Sequence, residues 1–130
     1  MAHPNEDLVR AGYAAFGRGD VEALQTTFFA EDIRWHFPGR SQFGGDFQGL
    51  EEVMGWLGRS FEASGGTLTI ELHDVLASDD HVVALATTRA QRAGKSLEDN
   101  TVQIFHIRDG KAAEVWSNAS DLYAVDDFWS

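Results

Sequence analysis

The chain contains no cysteine, which excludes disulfides, thiolate nucleophiles and cysteine-ligated zinc or iron–sulfur centres. Any metal would have to be held by histidine and carboxylates. His73-Asp74 and His81 bracket a turn without a spacing that fixes an ion, so no metal site and no cofactor are expected. Basic residues are scarce: 10 Lys and Arg stand against 21 Asp and Glu, a net charge of -11. Such a surface repels phosphate backbones and anionic headgroups, so neither nucleic acid nor membrane is an expected partner. No apolar run approaches the length of a membrane span, and no glycine motif suited to cradling phosphate occurs. The opening Met-Ala-His-Pro-Asn-Glu-Asp lacks the apolar core of a secretion signal, which makes the cytoplasm the expected location.

What is present is enough for one core. At 130 residues, 43% of them hydrophobic and 12% aromatic, the chain predicts a single domain over residues 1–130. Asn5 is a suitable helix cap, with Leu8, Val9, Gly12, Tyr13 and Phe16 forming an apolar stripe behind it. Asp20 caps a second helix carrying Val21, Leu24, Phe28 and Phe29. A strand from Asp32 to Phe37 stops at Pro38-Gly39, and Arg40 to Gly49 reads as a loop. Leu50, Val53, Met54, Leu57 and Phe61 repeat at helical period, up to the stop signal Ser64-Gly65-Gly66. Four alternating runs follow at Thr67–Ala77, His81–Ala93, Lys95–Arg108 and Lys111 to about Asp121, the last two joined by the hairpin dipeptide Asp109-Gly110. Asp121, Asp126 and Asp127 beyond them read as a solvated acidic tail. The predicted class is α+β: three helices from the N-terminal half packed on a curved antiparallel sheet that forms a cone-shaped cavity.

The long hairpin, the helical opening Tyr13-Ala-Ala-Phe-Gly-Arg-Gly-Asp20 and the turn Trp35-His-Phe-Pro-Gly39 together resemble the nuclear transport factor 2-like superfamily. That group includes ketosteroid isomerases, SnoaL-type polyketide cyclases and limonene epoxide hydrolases. In the ketosteroid isomerase pattern the tyrosine acid falls on Gly12, the aspartate base on Phe37 and the second acid on Gln103. In the epoxide hydrolase pattern the Arg-x-Asp pair falls on Ala84 and Ala86, or on Ala86 and Thr88, and the partner aspartate on Asn118. Neither catalytic set is present, which leaves the SnoaL-like group.

Strand period groups Asp99, Thr101, Gln103 and Phe105 on one face and Asn100, Val102, Ile104 and His106 on the other. Laying the hairpin on the epoxide hydrolase pattern turns the first set inward with Ala84, Ala86, Thr88 and Ala90, and places Trp116 and Asn118 in the pocket. Val83, Leu85, Val102, Ile104 and Val115 then form an outer apolar patch, expected to pack against a second copy of the chain. Inside, the expected contacts of a hydrophobic small molecule are Tyr13, Phe37, Trp56, Thr88, Thr101, Gln103, Trp116 and Asn118, with Phe16 and Phe43 as further aromatic wall.

Two titratable residues are candidates for acid–base catalysis. His36 ends the first strand at the expected cavity mouth, and Trp-His-x-Pro-Gly resembles a recurrent SnoaL-like signature. Alternation offers the other reading, with Ile33, Trp35 and Phe37 buried and His36 in solvent. Asp99 lies on the inward face, where desolvation makes a carboxylate a usable acid or base; its alternative is a strand-end residue reaching water. Two functions stay open. One is a cofactor-independent enzyme that isomerises, cyclises or dehydrates a hydrophobic, polyketide- or steroid-like carbonyl compound. The other is a non-catalytic binding or accessory protein using the same cavity.

Overall fold

His3, rather than Asn5, caps the first helix, its Nδ1 accepting from the Asn5 amide at 3.0 Å. Pro4 then supplies a preset φ at the first helical position, and Glu6 and Asp7 face the positive end of the helix dipole. Asn5 instead pins the helix to a distant turn, its side-chain NH2 donating to the carbonyls of Ser78 and Asp79 at 3.0 and 2.9 Å. The computed structural model describes residues 2–130.

Helix α1 (Pro4–Gly17) buries Val9, Gly12 and Ala15. Asp20 accepts from Ala23 N at 3.0 Å and starts α2 (Val21–Ala23), which widens into a π-helical turn over Leu24–Phe28. Phe29 therefore belongs to the first strand, β1 (Phe29–Phe37), which is three residues longer than alternation predicts. The segment expected to be a loop holds a second strand, β2 (Gly45–Gln48), antiparallel to β1. Then come α3 (Leu50–Ala63), β3 (Thr69–Ala77), β4 (His81–Arg92), β5 (Lys95–Arg108) and β6 (Lys111–Ala119). Asp109 and Gly110 take φ of 53° and 74° in the β5–β6 turn, the conformation a two-residue hairpin needs.

A fourth helix, α4 (Leu122–Trp129), replaces the expected acidic tail. Asp121 is its cap, accepting from Ala124 N at 3.1 Å. Asp126 accepts from the main-chain N–H groups of Arg40 and Ser41, at 2.9 and 3.3 Å. Val125, Phe128 and Trp129 are buried against the body of the protein. Arg92 donates to the carbonyls of Phe128 and Ser130 and Lys95 to that of Asp127, so two cations hold the negative end of the helix.

Among the described residues, six strands form one sheet in the order β2-β1-β6-β5-β4-β3. Every pairing is antiparallel except β1 with β6, which is parallel. The sheet is curved and open, with the four helices upon it. One face of the β4–β5 ladder, where Ala84 opposes Gln103, Ala86 opposes Thr101 and Thr88 opposes Asp99, turns toward the helices. The alanines there are fully buried and leave space that larger side chains would fill. No described helix is long and apolar enough to cross a membrane.

Candidate active site

Between the sheet and the helices lies a cavity of about 100 Å³ with predominantly aromatic and aliphatic walls. Phe16, Phe28, Phe37, Trp56, Leu97 and Trp129 line it. The aromatic wall is also packing: Trp56 lies within 5.3 Å, centroid to centroid, of Trp35, Phe37 and Phe47, and its Nε1 donates to the Phe43 carbonyl at 3.0 Å. Val125 and Trp129 bring α4 into the lining. Neither was foreseen, although Asp121 followed by Val125, Phe128 and Trp129 carries the cap and the i, i+3, i+4 spacing of an amphipathic helix.

The polar groups fall into two clusters. In the first, Asp99, 4% exposed, accepts from Ser120 Oγ at 3.0 Å and Asp121 N at 3.1 Å through Oδ1, and from Thr101 Oγ1 at 3.2 Å through Oδ2. Thr88 and Thr101 share a hydroxyl–hydroxyl contact of 2.9 Å. Asp99 is the one carboxylate among the described residues lining the cavity, where no histidine, lysine or arginine stands.

The second cluster is a buried relay. Tyr13 donates its hydroxyl to Gln103 Oε1, Gln103 Nε2 donates to Ser117 Oγ at 3.0 Å, and Trp35 Nε1 donates to the same oxygen at 3.0 Å. Burial pushes the Tyr13 phenol far above its ordinary pKa, so it stays protonated and a donor. Trp35 and Ser117 were not among the predicted site residues. The pairing of Gln103 with Ser117 across β5 and β6 is what joins them.

Four placements correct the expectations. Trp116 is not in the pocket: β6 turns Val115 and Ser117 inward and Trp116 outward, opposite Ile104. Val115 accordingly leaves the outer patch and is fully buried beside Phe105. His36 lies on the face away from the cavity, between Asp46 and Glu114, each 2.6 Å from a ring nitrogen. The hydrogen bond His36 donates to Asp46, with the one to Glu114 adding to it against partial desolvation, holds its pKa above the usual range. Asn118 borders the cavity, but its exposed side chain donates to the Val102 carbonyl at 3.4 Å. Tyr13, Phe37, Trp56, Thr88, Asp99, Thr101 and Gln103 all line the cavity.

The sequence profile of the SnoaL-like domain matches residues 9–115. The chain belongs to the SnoaL-like domain family. An uncharacterized protein of Mycobacterium tuberculosis is 37% identical over 125 residues, 95% of each chain. The structure of Bal32a, from a soil-derived mobile gene cassette, is 38% identical, with a TM-score of 0.94 over 98% of this chain and 97% of that one. A putative SnoaL-like polyketide cyclase from Jannaschia shares the fold at 18% identity and TM-score 0.76, covering 100% of this chain and 96% of that one.

The catalytic positions of other branches are closed to this SnoaL-like domain for physical reasons. At Gly12, where a ketosteroid isomerase tyrosine would stand, a Cβ would sit 2.7 Å from two atoms of the Phe28 ring. Phe37 and Gln103 occupy the two acid–base positions with groups that do not ionise. Ala84 and Ala86, both fully buried, cannot replace an Arg–Asp pair.

Proposed function

We propose that this SnoaL-like protein is a cofactor-independent enzyme that isomerises, cyclises or dehydrates a hydrophobic carbonyl compound, with Asp99 as the acid–base group. The observation that supports it is a single carboxylate among the described residues, 4% exposed, on the wall of a predominantly apolar cavity. An ionised carboxylate offers about four lone-pair sites. Three donors occupy Asp99, so Oδ2 keeps one free for a substrate proton. An apolar cavity of roughly 150 Å³ takes up benzene. By that measure the reacting part of the substrate is compact, about one ring, and a larger polyketide-like molecule requires α4 to withdraw. The proposal places the protein in the cytoplasm, as a homodimer joined through the outer sheet face.

The same three donors favour a second reading. Ser120 and Asp121 lead into α4, and a carboxylate that ties them down has a structural role without any catalysis. On that reading the protein binds or carries the ligand and transfers no proton.

Thermal shift against one- and two-ring ketones and phenols, followed by native mass spectrometry, identifies a ligand. Thr88→Trp should fill the cavity and abolish the shift while the protein stays folded, since a void accepts added volume better than a packed core. With a turnover assay in hand, Asp99→Asn should lower kcat by about a hundredfold to ten-thousandfold with little change in KM. Unchanged kcat in Asp99→Asn would remove the enzyme reading. Strong destabilisation by Thr88→Trp without loss of ligand would remove the cavity as the site.

A further inference from the structure

The relay from Trp35 to Tyr13 contains more donors than acceptors. Indole Nε1 can only donate, and it enters the chain at Ser117 Oγ. With Gln103 Nε2 donating to the same oxygen, both Ser117 lone pairs are taken and its own proton has no acceptor within the relay. Turning the Gln103 amide over does not remove the surplus. Ser117 would then donate to Gln103 Oε1, the amide would donate to Tyr13, and the phenol proton would be the one left over. In both arrangements one hydroxyl hydrogen remains, on Ser117 or on Tyr13, and both residues line the cavity. Ser117 is 6% exposed, and a buried donor without an acceptor carries the full desolvation penalty.

We infer that this relay is the oxygen-recognition element of the cavity: it presents an O–H donor from Ser117 or Tyr13 to an acceptor oxygen of the ligand. The inference rests on the reading of the cavity as a ligand site and adds the ligand's orientation. The ligand oxygen that meets the relay is a ketone, quinone or enolate oxygen. Gln103 sits between the two hydroxyls as a positioning residue, since a carboxamide aligns donors but carries no proton through. Asp99 stands four residues along the same strand from Gln103, roughly 14 Å at about 3.4 Å per residue. The bound molecule is therefore oriented with its acceptor oxygen at the Ser117 end and its apolar or proton-donating end toward Asp99 and Thr88.

Acetophenone, labelled with ¹³C at the carbonyl, and its hydrocarbon isostere α-methylstyrene separate this inference from the reading beneath it. Protein-detected NMR titration reports binding of each, and infrared difference spectra report the carbonyl stretch of bound acetophenone. The expected result is that both bind and that the stretch lies below its value in a hydrocarbon solvent. Ser117→Ala or Tyr13→Phe should move it, whereas Thr88→Val, at the other end, should leave it unchanged. If both compounds bind and the stretch equals the hydrocarbon-solvent value, the relay offers no donor and the inference falls while the cavity reading stands. A lowered stretch that responds to Thr88→Val alone assigns the donor elsewhere and also overturns it. Binding of neither compound removes the cavity reading and the inference together.

Discussion

Trp116 lies flat against His36 on the outer face of the sheet, with ring centroids 5.5 Å apart and planes 22° from parallel. Asp46 Oδ1 and Glu114 Oε2 each stand 2.6 Å from a ring nitrogen. Two carboxylate acceptors are matched only when both nitrogens carry protons, so this arrangement favours the imidazolium. Of the other polar neighbours, Arg34 lies two residues before His36 on the same face of β1 and His106 opposes Glu114 across β5 and β6.

The raised pKa gives His36 a definite pH signature. The group's folded value lies above its unfolded value of about 6.5. Its contribution is therefore complete below that pH and lost as pH climbs through the folded value. The difference in Tm between wild type and His36→Gln should be largest below about pH 6.5 and shrink as the pH rises above that value. Scanning calorimetry across that range reads it directly, and a difference that grows with pH would contradict the doubly paired cation.

Gly12 permits α1 to approach the Phe28 ring, and an added Cβ would lie 2.7 Å from Cε2 and Cζ of that ring. Gly12→Ala should destabilise the protein by about 1–3 kcal/mol, the usual range for overpacking. Combining it with Phe28→Leu should restore part of the loss, because the obstructing atoms are gone. Urea denaturation of the single and double variants measures both effects. Strictly additive losses would mean the two positions do not meet.

Phe128, 2% exposed, packs edge-on against Trp129, which in turn meets Phe43 edge-on, and so anchors α4 to the body of the protein. Phe128→Ala should cost about 3–5 kcal/mol. Hydrogen exchange should rise over residues 121–130 before it rises in β4 and β5. Uniform loss of protection across the whole chain would show that α4 does not open separately.

The outer face carries Val83, Leu85, Val102 and Ile104 half-exposed, with Leu76 57% exposed at its edge. Their burial against a second copy is a proposal, and Ile104→Glu tests it by placing an unpaired charge in the contact. Light scattering coupled to sizing chromatography should show a wild-type dimer and a variant monomer. A wild-type monomer at micromolar concentration would remove the dimer.

The two faces of β4 and β5 were legible because period-2 alternation separates Asp99, Thr101 and Gln103 from Asn100, Val102 and Ile104, and the resemblance to the epoxide hydrolase hairpin chose the first set as the inward one. The register of β6 was not. A regular two-residue turn at Asp109-Gly110 would set Gln103 opposite Trp116 and Thr101 opposite Asn118. A bulge intervenes: Ile107 pairs with Ala112 but His106 with Glu114, leaving Ala113 as the extra residue. That single residue turns every later β6 side chain to the other face, bringing Ser117 in and Trp116 out. The consecutive buried Ala112 and Ala113 are its mark, though two alanines in a row do not announce a bulge. His36 left the site by simple alternation, since Ile33 and Trp35 are its buried neighbours on β1.

The parallel pairing of β1 with β6 also shapes how the protein reaches this structure. The contact between Trp35 and Ser117 spans 82 positions, whereas β3 to β6 close through successive short hairpins. Loop-closure entropy therefore lets the four-stranded meander assemble on local contacts, while β1, β2 and α3 dock through the strand pairing of longest sequence separation. A folding intermediate or transition state built on the meander would contain Asp99 and Gln103 already in register but no closed cavity. Substitutions in β1 would then act mainly on the unfolding rate and leave the folding rate little changed.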